Sequence, residues 1–451
     1  MNPAARNSGL NGHFRTGIVR YEAAAACDGT GLVVSPAAVL AHFETPGDST
    51  LRVLAIGKPE DVRSHAASAH AKVVRLPRSV LIPGLVNAHT HLDLTHIGPQ
   101  PHDPGAGFGP WVDMIRARRH LREDLIAQSV KSGIDLSLRA GVVAVGDIAG
   151  APGGMPNLTP LRTLAGSTMR GVSYLEFFGI GTTMEVARTR VDERVREAGT
   201  GATRMRFGVQ PHAPNTVDVR LFEWVTEIAA ARGLMVATHL AETPEERDFV
   251  GRAKGPQREF LERLGIWDDS ILEFIGRGLH PVQHLKDVLA KARLTAAHVN
   301  DADDAAIAVL ARTQTSVAYC PRASAYFDAE RHFGPHRYQE MLKAGINVAM
   351  GTDSIVNLPQ DADVRGLSIL DEMRFLSRRD GADPRALLRM GTLNGAAALG
   401  MEASLFRFRA GIDLAGMLAI DIGDRGVSAN DHPFASCLVC DSPPALLLGS
   451  E

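Results

Sequence analysis

Eight short apolar runs, each ending in polar residues and most followed by a longer amphipathic stretch, constrain this chain more than any other feature. They cover residues 85–91, 142–147, 171–178, 205–211, 234–239, 294–298, 315–320 and 347–353. Most stay apolar until their last one or two residues, the pattern of parallel strands buried on both faces. Helical periodicity fills the intervals, for example over 221–232 and 301–312. Strand then helix, repeated eight times, predicts an α/β fold, a (β/α)₈ barrel, with a doubly wound open sheet as the alternative. A barrel needs ~250 residues or more, and the chain has 451.

The surplus lies at the two ends. Short strand-like segments occur at 16–21, 51–56 and 72–76, and again at 417–422, separated by Gly, Pro and Ser. They predict a small β-sandwich built from residues 1–80 and 395–451 around a barrel of residues 81–394. Segments 105–110 and 150–160 read as loops after the first and second strands.

Bulk composition selects no partner. Hydrophobic residues make up 45% and charged residues 22%, with a formal net charge of -3, so no basic surface points to nucleic acid. No apolar stretch reaches the ~18 residues of a membrane span, and residues 1–20 lack the apolar run of a secretory signal. The four cysteines, Cys27, Cys320, Cys437 and Cys440, are few for this length and fit a reducing compartment. Cytoplasm is the expectation, with a small-molecule substrate, and homo-oligomer formation stays open. Cys437 and Cys440 form a single C-x-x-C, read as incidental thiols against a structural metal or redox pair.

Chemistry-bearing residues collect at the C-terminal ends of the predicted strands, the face where barrels build their sites. The first run ends in Asn87-Ala88-His89-Thr90-His91, and histidines two apart on a strand point to one side. The fifth leads into His239-Leu240-Ala241-Glu242, the sixth ends in Ala297-His298, and the eighth in Gly351-Thr352-Asp353. Singly, His239 reads as a satisfied core histidine and Asp353 as a cap or turn residue. Together, three imidazoles and a carboxylate suit a borderline ion such as Zn²⁺ or Fe²⁺, not Mg²⁺ or Ca²⁺. Burying them in apolar runs with no common purpose would be costly.

These pieces resemble the amidohydrolase superfamily, and within it the deaminases of purines, pyrimidines and related rings. The matching segments are Pro83-Gly84-Leu85-Val86-Asn87-Ala88-His89-Thr90-His91, Pro211-His212-Ala213-Pro214, His239-Leu240-Ala241-Glu242-Thr243, Ala296-Ala297-His298, Gly351-Thr352-Asp353-Ser354 and Leu393-Asn394-Gly395-Ala396. Leu92-Asp93-Leu94-Thr95, Cys320-Pro321-Arg322 and Leu370-Asp371-Glu372-Met373-Arg374 are most similar to the aminodeoxyfutalosine deaminases of menaquinone synthesis. The resemblance implies metal ligation by His89, His91, His239 and Asp353. It also implies Glu242 as proton shuttle and His298 as the residue that orients or polarises the water. A bound divalent ion lowers a water's pKa to ~7, so hydroxide is available at neutral pH. Binuclear members of the superfamily carry a bridging lysine at the end of strand three or four. Glu176 and His212 stand there instead, so one ion is expected, with a bridging Glu176 as the alternative.

Substrate contacts are expected from four residues, each with a plainer reading. His212 resembles a substrate-contacting histidine, or hydrogen-bonds behind the ligands. Glu176 accepts from a ribose or base, or pairs with a framework arginine. Arg322 meets a substrate carboxylate with its planar fork, or lies on the surface. Trp111 stacks on a flat substrate, or packs within its loop. Two departures stand out: Asn215 occupies the usual tyrosine position after Pro-His-Ala-Pro, and Arg409-Ala410-Gly411-Ile412-Asp413-Leu414 replaces the usual Pro-Gly-Lys-x-Ala-Asp. The expected activity is a hydrolytic deaminase of an aminated heterocycle. The alternatives are a hydrolase of cyclic amide, N-acyl or C–Cl bonds, and an inactive metal-binding scaffold.

Overall fold

The computed structural model describes residues 17–45, 47–199, 204–428 and 430–448. The extreme amino-terminal residues, on which the expectation of no export signal rests, lie largely outside the described residues.

The amino-terminal strands are β1 (Gly17–Cys27), β2 (Val33–Val34), β3 (Ala37–Phe43), β4 (Leu51–Gly57) and β5 (Lys72–Pro83). The barrel follows as β6 (Leu85–Thr90), β7 (Val142–Ala149), β8 (Arg170–Phe177), β9 (Met205–Pro211), β10 (Met235–Leu240), β11 (Leu294–His298), β12 (Ser316–Tyr319) and β13 (Val348–Met350). Near the carboxyl end come β14 (Ile412–Leu414), β15 (Met417–Asp421) and β16 (Ala445–Leu447).

Strands β6 to β13 lie in chain order, and every neighbouring pair is parallel. All eight expected runs are strands. The first and last meet through a parallel bridge between Thr90 and Asp353, which closes the (β/α)₈ barrel. Valines, isoleucines and leucines on the strands and the covering helices make one large buried core. Glycine permits the tightest approach at the seam: a Cβ on Gly351 would lie 2.8 Å from both the His89 carbonyl oxygen and Cys320 Sγ. The expected loops at 105–110 and 150–160 hold single short turns, Pro104–Ala106 and Pro152–Gly154, beside the starts of helices Gly109–Arg118 and Thr159–Ala165.

The strands of both termini join in one curled eight-stranded sheet, ordered β14-β4-β3-β1-β5-β15-β16 with β2 beside β1. A register shift between Ala23 and Ala25 in β1 bends the sheet, as bulges do. Alternation along β5 then serves two cores. Val80 and Ile82 face the barrel core, while Leu81 packs with Val19, Phe43 and Met417. Arg374, fully buried, ties the carboxyl-terminal segment to the barrel by donating to the carbonyls of Cys437 (3.2 Å) and Ser442 (2.8 Å). Cys437 and Cys440 are free thiols there. Among the described residues, no helix is long and apolar enough to cross a membrane.

Candidate metal centre

The strand ends carry the polar residues to one mouth of the barrel. His89 lies inside β6, and His91 one residue beyond it. The β6–β7 register shifts between Asn87 and Thr90, re-aiming this short stretch. His239 lies inside β10, His298 is the last residue of β11, and Asp353 follows β13. His298 and Asp353 have φ of 69° and 56°, the left-handed region that non-glycine residues rarely occupy. Such strain persists where surroundings over-determine it, and it clusters at functional sites.

The side chains come together in overlapping groups. Ligand atoms of His89, His91 and His239 lie within 4.8 Å of one another, as do those of His89, His298 and Asp353. Asp353 Oδ1 is 3.4 Å from His91 Nε2 and 3.6 Å from His89 Nε2. The Nε2 atoms of His91 and His239 face each other at 3.4 Å. Among the described residues, buried His89 Nε2 and His298 Nε2 have no hydrogen-bond partner.

Hydrogen bonds behind the site decide which atoms are free. His239 Nδ1 lies 3.0 Å from the His212 carbonyl, which can only accept. Nδ1 therefore carries the proton, leaving the Nε2 lone pair free toward the site. Asp353 Oδ2 accepts from Asn357 Nδ2, leaving Oδ1 toward the histidines. Burial is the chief reason that His91 and His239 titrate well below the usual imidazole range, so their nitrogens stay neutral donors. Burial opposes ionisation of Asp353, yet the neighbouring imidazoles hold its carboxyl below the usual range. Imidazole nitrogens without partners, a free His239 Nε2 lone pair and a carboxylate oxygen turned toward them fit a divalent metal ion.

Glu242 stands in the turn after β10, with Oε1 3.4 Å from His298 Nε2. Burial, then Asp353 and Glu246 beside it, push its carboxyl well above the usual range. His298 is driven down to about 3, chiefly by burial.

These groups open into a cavity of about 1190 Å³, lined also by Trp111, Arg119, Glu176 and His212. Thr216 Oγ1 donates to the Ala213 carbonyl (3.1 Å) and so accepts from His212 Nδ1 (2.8 Å). His212 Nε2 is left as an acceptor. Atoms of Glu176, His212 and His239 also fall within 4.8 Å of one another. Trp111, expected in a loop, lies in helix Gly109–Arg118, where its ring packs beside Phe108 and Phe327 with centroids 5.1 and 5.3 Å away while it lines the cavity.

One further placement differs from expectation. Arg322 does not line this cavity: its Nε and backbone N–H donate to Glu372 at 2.6 and 2.9 Å, and Nη2 donates to the Ser368 carbonyl. Most of its fork is engaged inside the fold, away from this cavity. Glu176 does have the framework arginine considered from sequence. This is Arg119, whose Nη1 lies 3.7 Å from Glu176 Oε2 while its Nε donates to Asp93 at 3.0 Å. Arg119 lies outside any periodic strand, so no sequence pattern marked it. Glu246, which holds the Glu242 turn, was legible in part. Thr243-Pro244-Glu245-Glu246 has the spacing of a capping box.

The amidohydrolase family model matches residues 80–412. Aminodeoxyfutalosine deaminase of Deinococcus radiodurans is 30% identical over 395 residues, covering 84% of this chain and 85% of that one. The 5-methylthioadenosine/S-adenosylhomocysteine deaminase of Moorella thermoacetica is 29% identical over 345 residues, 74% of this chain and 71% of the other. In fold, the crystal structure of Helicobacter pylori aminofutalosine deaminase aligns at a TM-score of 0.73 with 19% identity, over 96% of this chain and 99% of its own. A Xanthomonas campestris adenosine deaminase with bound zinc aligns at 0.67 with 20% identity, over 97% and 93%. With the barrel, the strand-end histidines and a family match that spans both, this chain belongs to the amidohydrolase family.

Proposed function

We propose that the chain is a metal-dependent hydrolytic deaminase, releasing ammonia from the amine-bearing carbon of a purine-nucleoside-like compound, with an aminodeoxyfutalosine-type substrate as first choice. The observation that carries this reading is Glu242: a half-buried carboxyl facing His298 beside the histidine cluster, with room in the cavity for a flat ring. The relatives named as deaminases support the same reaction class.

His89, His91, His239 and Asp353 would hold one ion, Zn²⁺ by preference and Fe²⁺ otherwise; the zinc of the Xanthomonas neighbour supports that order. Such an ion lowers the pKa of a water to ~7 and so supplies hydroxide at neutral pH. Glu242 takes a proton from the attacking water and gives it to a ring nitrogen, which makes the amine-bearing carbon electrophilic. The water oxygen bonds to that carbon. Glu242 then carries the second proton to the amine, the C–N bond breaks, and ammonia leaves with a carbonyl in its place. Neutral His298 orients the water. His212 accepts from the substrate, Glu176 contacts its sugar or base while held by Arg119, and Trp111 walls the ring. Arg322 acts in the scaffold alone. We further assign residues 81–394 to the barrel and 1–80 with 395–451 to the terminal unit, and place the enzyme in the cytoplasm.

Ammonia release measured over aminated purine nucleosides, including 5′-extended ones, tests the reading with metal-loaded protein. Turnover of one or more, abolished in Glu242→Gln at unchanged metal content, is expected. No ammonia from any of them, with hydrolysis of a cyclic amide or C–Cl bond instead, overturns it.

A further inference from the structure

Glu242 is held by its main chain in an unusual way: side chains, not a sheet ladder, satisfy both its N–H and its carbonyl. Glu246, 2% exposed, presents its two carboxylate oxygens to consecutive backbone donors. Oε1 accepts from Ala241 N and Oε2 from Glu242 N, each at 2.8 Å. On the other side, buried Asn300 donates from Nδ2 to the Glu242 carbonyl at 3.1 Å. Asn300 is itself fixed, since its Oδ1 accepts from Ser324 Oγ at 3.0 Å.

The clamp acts on a strained turn. Ala241 has φ of 52°, in the left-handed region, immediately before Glu242. In an ordinary capping box the glutamate at the third helical position returns to the backbone N–H of the cap residue. Here Thr243 caps in the usual way, accepting from Glu246 N at 3.2 Å. The Glu246 side chain bypasses Thr243 and reaches the two residues before it. Helix capping alone does not account for that path, because the donors it satisfies belong to the turn that carries Glu242.

We propose that Glu246 and Asn300 are positioning residues that hold the Glu242 carboxyl in register with His298 and the histidine cluster. This rests on the reading of Glu242 as the proton carrier. Neither residue touches the reacting atoms; both hold the Glu242 backbone, and uncharged Asn300 acts through it alone. A carboxylate suits the Glu246 position because it accepts at both oxygens, whereas an amide would set an N–H₂ against one of the two backbone donors.

The test uses the metal-loaded, full-length enzyme with Glu246→Gln and Asn300→Ala, reading kcat, KM and metal per chain, beside Glu242→Gln. Loosening the turn by a fraction of an ångström to an ångström lowers kcat on the order of tenfold to a hundredfold. KM and metal content are expected to stay within about twofold, since ground-state binding is untouched. An unchanged kcat in both variants overturns the proposal, as does a parallel loss of kcat, substrate affinity and metal, which marks a merely structural role. Should Glu246→Gln not fold, Asn300→Ala decides on the same criteria. Full turnover in Glu242→Gln would defeat the functional reading itself, whereas a dead Glu242→Gln beside normal Glu246→Gln and Asn300→Ala defeats only this inference.

Discussion

Thr90 and Asp353 join the first and last strands of the barrel: they form its closing bridge, and Thr90 Oγ1 donates to the Asp353 carbonyl at 3.0 Å. Asp353 N in turn donates to the His89 carbonyl at 3.1 Å. The seam that shuts the barrel is thus the segment that sets a carboxylate beside two imidazoles, so the same residues close the fold and build the site.

That coupling predicts the effect of Asp353→Asn. The amide keeps the shape but loses the charge opposite the histidines. Metal affinity should fall by at least the ~10–100-fold typical of losing even an outer partner. Metal per chain after dialysis against a weak chelator, with ammonia release on the same samples, checks it. Full retention of metal would remove Asp353 from the ligand set.

Gly351 should tolerate no side chain. A Cβ there meets Cys320 Sγ and the His89 carbonyl at 2.8 Å, and neither can retreat without moving the seam. Gly351→Ala should destabilise by about 1–3 kcal/mol through overpacking and lower turnover by displacing His89. Denaturant unfolding of the metal-free protein isolates the stability part, and an unchanged midpoint would count against the tight seam.

Arg119 balances two buried carboxylates, Asp93 and Glu176, which are 3% and 2% exposed. Arg119→Met should cost about 3–5 kcal/mol, because breaking a buried pair strands the remaining charge. Adding Asp93→Asn to that variant should recover part of the loss. If the single variant unfolds at the parent's denaturant concentration, the network carries no such load.

His336 gives a pH-dependent term. Its Nε2 donates to the His298 carbonyl at 2.9 Å and its ring stacks on Tyr319 with centroids 3.6 Å apart. Burial, chiefly, drives its pKa down to about 4. An unfolded imidazole titrates near ~6.5, so between those values the unfolded chain binds the extra proton. The neutral histidine's contribution is complete above the unfolded value and is lost as pH falls toward about 4. It amounts to about 3 kcal/mol at most. In His336→Phe, stability should decline less steeply from pH ~6.5 downward than in the parent. Parallel stability-versus-pH curves for the two would refute the assignment.

Much of the fold was legible because its signals are local. Burial on both faces makes each barrel strand an apolar run, and the polar residue at its end shows where the run meets the barrel's mouth. His89 and His91, His239, His298 and Asp353 stand out for that reason. The terminal sheet was visible only as fragments, since its order interleaves strands from both ends of the chain, as β14 beside β4 shows.

By itself, the sequence determined the eight-fold strand and helix alternation and the identity of the groups at the strand ends, since side-chain period and chemistry are properties of adjacent residues. Only the tertiary structure decided which polar atoms remain free. Arg322 looked available until Glu372, 50 residues away, took its donors, and the Glu246 carboxylate closed on the turn before its helix, a partnership no local pattern announces. A hydrogen-bonding group has a small, fixed number of partners, and distant segments supply them only once the barrel has closed.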